Sequence, residues 1–126
     1  MLEPSVSNIA IKILAHGKGE ALADLLRHLS PMTVNAVKMK LPIYGRVNRP
    51  SDALICIISQ IVAGLEKSQS MFKKGDLAFM PLNGSICIFL KDTRTARPMN
   101  HLGHISSGLD VLENLGTGDT VSIELV

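Results

Sequence analysis

The apolar residues of this chain come in short packets closed off by glycine, proline and charged turns, and that rhythm restricts what it can fold into. The last packet, TVSIELV (120–126), is the plainest. Val121, Ile123 and Leu125 fall on one face and Thr120, Ser122 and Glu124 on the other, the period of two that belongs to a half-buried strand. NIAIKILA (8–15) repeats the pattern, with Ile9, Ile11 and Ile13 against Lys12, and HGKG (16–19) closes it with a turn. ALICII (53–58) and SICIFL (85–90) are continuous apolar runs with the length of fully buried strands, far too short to span a bilayer. KKGD (73–76) launches a further strand over 77–80, and Asn83-Gly84 reads as a tight turn delivering the strand Ile86 to Leu90.

Helical signals are fewer. Ser30 as N-cap, Pro31 at the first helical position, a stripe of Val34, Val37 and Leu41, and Pro42 as a stop predict one short helix. Ser107 and Asp110 resemble a capping box ahead of a second, lined by Leu109, Leu112 and Leu115 and ended by Gly116. Residues 20–29 are ambiguous. Leu22, Leu25, Leu26 and Leu29 have helical spacing, while Ala21, Ala23 and Leu25 alternate as in a strand, and periodicity alone favours the helix. Many short strands and two short helices predict a mainly β domain, a sandwich or barrel whose ends need covering.

A chain of 126 residues with 46% hydrophobic content predicts one domain over 1–126 that closes a core unaided by metals or disulfides. Cys56 and Cys87 sit singly inside the apolar runs and read as buried free thiols, in keeping with a reducing, cytoplasmic compartment. Glu3 stands where a secretory leader wants positive charge, so no export signal is expected, and the glycan-acceptor reading of Asn83-Gly84-Ser85 falls with it. A net charge of +2, spread thinly, with no Trp, one Tyr and three Phe, argues against a nucleic-acid partner, and no segment argues for a membrane one.

Motifs for chemistry are scarce. GKG (17–19) lacks the spacing of a phosphate loop, and GHISSG (103–108) is not a nucleophile elbow. His101 and His104 are three apart, which on a strand turns them to opposite faces, and no third ligand stands nearby, so neither a metal nor another cofactor is expected. In LPIYGRVNRP (41–50) the guanidiniums of Arg46 and Arg49 read, from spacing alone, as surface groups lying along their stems.

Several segments then fall into a familiar order. SPMTVNAVKMKLPIYGRVNR (30–49) resembles the first helix and arginine-bearing strand of cyclophilins. LNGSICIFLKDT (82–93) resembles their N-G-S-Q-F-F-I segment, and HLGHISSGLDVLENL (101–115) their late segment that ends in a helix. Leu41-Pro42 with Val47-Asn48, Gly75-Asp76 through Pro81, and Cys87 to Leu90 are similar to the compact cyclophilin-like family of archaea and thermophilic bacteria.

The resemblance implies a closed antiparallel cyclophilin-like β-barrel with a helix capping each end, and makes residues 20–27 the second strand of an N-terminal hairpin. It also implies a candidate catalytic arginine, Arg46, matching the one that grips the twisted amide when prolyl isomerases lower a barrier of about 20 kcal/mol. The implied binding groove comprises Met80, Pro81, Ile86, Ile88, Met99 and His101. Ile88 stands where the family has its proline-holding Phe, Ile86 where it has Gln, and Met99 near its late His. The function expected from this is a peptide- or protein-binding module, its partner a segment that can contain proline, with weak or no isomerase activity. An active prolyl isomerase, or a site for a small anionic ligand held by Arg46 with Arg49 or His101, are the alternatives.

Overall fold

The computed structural model describes residues 8–126. β1 (Asn8–Ala15) and β2 (Gly19–Leu26) form an antiparallel hairpin, closed where the Lys18 N–H donates to the Ala15 carbonyl at 2.8 Å. The helical spacing of the leucines in 20–29 is thus overridden. β2 pairs on both sides, with β1 and with β8 (Thr93–Ser107), and turns Ala21, Ala23 and Leu25 inward, so two ladders of hydrogen bonds outweigh the local preference.

α1 (Pro31–Lys40) follows, then the β3 (Ile43–Ser51) and β4 (Leu54–Ile58) hairpin and an irregular strap over residues 59–68. β5 (Gln69–Phe72), β6 (Asp76–Met80), β7 (Ser85–Phe89) and the fifteen-residue β8 lead to α2 (Leu109–Glu113) and β9 (Thr120–Leu125). The strand order is β2-β1-β9-β3-β4-β7-β6-β8-β5, and the additional β2–β8 pairing closes the first eight strands into a barrel with β5 outside. Gly103 makes that closure possible, because a Cβ there would collide with the Asp24 carbonyl of the neighbouring strand.

The barrel interior is filled by the inward set of every strand, including Ile11, Ile13, Ile55, Ile57, Leu77 and Ile123. Its ends are covered by the two helices. α2 meets the start of β2, where Val111 packs against Gly19, and α1 follows the other end of the same strand; Leu112 from one, Val34 and Val37 from the other enter the core. Leu125, expected inward, lies near the chain end and is half exposed.

The caps differ from the sequence reading. Ser30 occupies the N-cap position of α1 but its hydroxyl makes no capping bond, and Gly108, not Ser107, precedes α2, with φ +83. Gly108 is needed because a Cβ there would collide with the backbone of Glu20 and Ala21 in the neighbouring strand. The β6–β7 turn spans residues 81–84 rather than two residues, with the Gly84 N–H donating to the Met80 carbonyl at 3.0 Å.

Candidate functional site

A site on a closed barrel has to be built on its outside, so the outward residues of each strand are the ones that matter. On β7 alternation turns Ile86 and Ile88 into the barrel, 1% and 0% exposed, and they do not line the expected groove. This corrects the sequence reading by one position. The turn spans residues 81–84, and the strand enters the sheet with Ser85, Cys87 and Phe89 facing out. A slip of one residue moves every side chain to the other face.

Cys87 and Phe89 join Cys56, Phe72, Ala78 and Met99 in a second apolar cluster outside the barrel, with Leu54 and Met80 packed against it. β5 lies over this face. The Phe72 ring stacks on Phe89 with centroids 4.6 Å apart and planes within 6°, and meets the His101 imidazole edge-on at 5.7 Å.

The cover is incomplete. One hollow of about 340 Å³ lies between the β3–β4 turn, the end of β6 and the arm of β8, walled by Leu54, Met80, Leu82 and Met99 with Thr95 and Arg97 at its rim. A second, of about 210 Å³, shares Met80, Leu82 and Arg97 and adds Pro81, Pro98 and Leu65. A third, of about 430 Å³, shares Leu65 and runs between the strap and α1 past Val62, Ala63, Met32 and Ala36. The second hollow shares walls with each of the others, so the three lie in a row, the trough. Its edges carry Met32, Val62, Leu65 and Leu82, all largely exposed, which is more contiguous apolar surface than solvent alone favours.

The strap that forms the middle of the trough is held by polar groups. Glu66 caps α1 from outside the helix, its Oε2 accepting from the Met32 N–H at 3.0 Å and its Oε1 from the Thr33 N–H at 2.8 Å and the Thr33 hydroxyl at 2.7 Å. Burial works against the charged carboxylate, but the Met32 and Thr33 hydrogen bonds and the nearby Lys67 outweigh it and hold Glu66 below the usual carboxylate range. The fully buried Asn100 completes the network. Its Oδ1 accepts from the Glu66 N–H at 2.7 Å, and its amide donates to Thr33 Oγ1 at 3.0 Å and the Gly64 carbonyl at 2.8 Å. At the other end the Ser59 hydroxyl donates to the Gly84 carbonyl at 2.6 Å, and Gly84 lets the Ile61 carbonyl come so close that a Cβ would lie 2.7 Å from it. Asn83-Gly84-Ser85 is therefore a turn locked to the strap. The sequence carried little sign of this strap; Glu66 and Asn100 have no motif, only a partner brought by the fold.

Of the expected site residues, Met80 and Met99 wall the first hollow and Pro81 the second. His101 is on the same outer face but beneath Phe72, its Nε2 3.0 Å from the Gly103 carbonyl and 3.4 Å from Asp76 Oδ1. His104 sits 4.0 Å from Asp24 instead, so the two histidines take different carboxylates, and the described residues hold no group of three or more metal-ligating side chains. Arg46 is exposed on the outer face of β3, five positions up the strand from Ser51 at the hollow, a separation on the order of 16 Å. Its neighbour across the ladder is Thr120, next to His16, whose ring nitrogens lie 2.8 Å from Thr120 Oγ1 and 2.8 Å from Ser122 Oγ. Arg49 is engaged elsewhere, donating to the carbonyls of Glu113 at 2.7 Å and Leu115 at 2.8 Å around the C-terminal end of α2.

No helix among the described residues is long and apolar enough to cross a membrane. The chain is similar over 95% of its length to a hypothetical protein from Archaeoglobus fulgidus, AF2241, with 25% identity, 96% of that chain covered and a TM-score of 0.81. It also shares its fold with McbB, solved in complex with tryptophan, at 12% identity and a TM-score of 0.74; 90% of this chain is covered but only 44% of that one. No curated protein matches the chain. A family model described as Cyclophilin-like matches residues 9–124, almost the whole barrel from β1 into β9. With its closed antiparallel barrel, outer strand and two end helices, the chain belongs to the cyclophilin-like family.

Proposed function

We propose that the domain is a binding module that takes an extended peptide or protein segment along the trough, with apolar side chains in the hollows and a carboxylate facing Arg97. The observation that carries this reading is the adjacency of the three hollows, whose neighbours share Leu65, Met80, Leu82 and Arg97 as walls. Arg97 is exposed at the rim and has no ion-pair partner among the described residues, so an acidic group on the ligand supplies the missing charge. The hydroxyls of Thr93 and Thr95 at the first hollow donate to the carbonyls of Lys91 and Arg97, which leaves their oxygens to accept from a ligand backbone N–H.

Prolyl isomerisation finds less support. An arginine acts on the twisted amide only within hydrogen-bond reach of a held proline, and Arg46 stands far along β3 from the apolar hollow. A small anion at Arg46 finds no help from Arg49, whose guanidinium is occupied by backbone carbonyls. The test is an NMR titration of the full chain with short peptides that pair leucine or methionine with aspartate or glutamate. The methyl signals of Met80, Leu82 and Met99 are expected to move, with Arg97→Glu removing the acidic preference. Shifts confined to Arg46 and His16 on addition of small dicarboxylates would replace this reading with the anion one, and a protease-coupled isomerisation rate lost in Arg46→Ala would replace it with the isomerase.

A further inference from the structure

Cys56 on β4 and Cys87 on β7 stand directly opposite each other in the antiparallel ladder. The Leu90 N–H to Ala53 carbonyl bond on one side and the Ser59 N–H to Gly84 carbonyl bond on the other fix the phase of that ladder. Counting inward from either, pairs 55/88 and 57/86 exchange hydrogen bonds and the pair 56/87 is of the non-hydrogen-bonded kind. In such a pair the Cα atoms are about 4.5 Å apart and the side chains are at their closest. A disulfide accepts Cα separations from about 4.4 Å to 6.8 Å. The two Sγ atoms are already 3.2 Å apart, with Cys87 donating to Cys56.

The two thiols are not equivalent. Cys87 is fully buried and Cys56 is 7% exposed, on the row that continues to the exposed Asn48 of β3. The hydrogen bond from Cys87 favours the Cys56 thiolate against the cost of its burial, and that same bond together with burial pushes Cys87 up. Cys56 is the group to react first.

We propose that Cys56 and Cys87 form a reversible two-electron redox site, closing to a cross-strand disulfide on exposure to hydrogen peroxide. The Cys56 thiolate attacks one peroxide oxygen, the O–O bond breaks, and the departing hydroxide takes the thiol proton to leave as water, giving a sulfenic acid. The Cys87 sulfur then displaces the hydroxyl from Cys56, its own proton leaving with that hydroxyl as a second water. Two thiols are oxidised and one peroxide is reduced. The bond links β4 to β7 within the cluster that carries Met99, Leu54 and Met80, directly behind the wall of the first hollow.

The test treats the full chain with hydrogen peroxide, quenches with acid, unfolds it and alkylates the remaining thiols before measuring intact mass. A monomer two hydrogens lighter that takes no alkylating agent, and is restored by dithiothreitol, is expected. Cys87→Ala should instead leave a dimedone-reactive sulfenic acid on Cys56, while Cys56→Ala should slow oxidation of Cys87 at least tenfold. A covalent dimer, or two thiols that stay alkylatable in the native chain under conditions that oxidise the unfolded one, overturns the proposal.

Discussion

Inside the barrel, β9 and β7 are alike: Val121 and Ile123 from one, Ile86 and Ile88 from the other, are buried in the same core. Outside they differ. β9 presents Thr120, Ser122 and Glu124, the strands beside it add Arg46, Tyr44 and a Lys12 whose ammonium is 3.7 Å from Glu124, and the turn after β1 adds His16. β7 presents Cys87 and Phe89, which water does not satisfy, and the chain has to cover them with β5 and the arm of β8. The polar flank is finished as it stands, whereas the apolar flank is finished by added segments that meet imperfectly. The gaps between those segments are the trough, so the barrel places its candidate site where its outside is built like an inside.

The largest test of this contrast is Phe89→Ala, which removes the ring stacked on Phe72 and leaves a cavity under β5. A loss of about 3–5 kcal/mol by denaturant unfolding is expected, and a loss no greater than that of a surface change would mean the outer cluster is not a second core. A charge reversal compares the flanks directly. Arg97→Glu is expected to weaken an acidic peptide by about tenfold, or about 1.4 kcal/mol, while Arg46→Glu on the polar flank leaves the same affinity unchanged, both read by calorimetric titration. Glu66→Gln loosens the strap by removing the charged cap on α1, for about 1 kcal/mol. Because the folded value of Glu66 is depressed, its contribution is complete above about 4.3, the ordinary glutamate value, and is lost as pH falls through the lower folded value. Unfolding midpoints measured down that acid range should therefore converge for the wild type and Glu66→Gln. Smallest is Tyr44→Ala on the polar flank, within about 0.5 kcal/mol of wild type, because that side chain is 70% exposed.

Much of the barrel was legible from alternation alone. Ile9, Ile11 and Ile13, and Val121 and Ile123, are inward as their period of two requires. β2 was not legible locally, since Leu22, Leu25 and Leu26 satisfy a helix equally well, and only pairing with β1 and β8 decides it. The candidate site was less legible. Met80, Pro81 and Met99 lie along the trough, but in a run as uniformly apolar as SICIFL nothing in the composition says which residues face out. That left Ile86 and Ile88 assigned to the groove, and Cys87 and Phe89 missed.

By itself the sequence determined that this chain would be a mainly β domain with two short helices, because side-chain periodicity is a local property that each strand carries alone. It determined the family as well, through the order of segments such as Gly75-Asp76, Pro81 and Cys87 to Leu90. Tertiary structure alone decided which face of β7 is the outside, that Glu66 rather than Ser30 caps α1, that Cys56 meets Cys87, and that Arg46 stands apart from the trough. Each of these depends on register and closure between strands distant in the chain, and a one-residue change in register exchanges the two faces without altering any local preference.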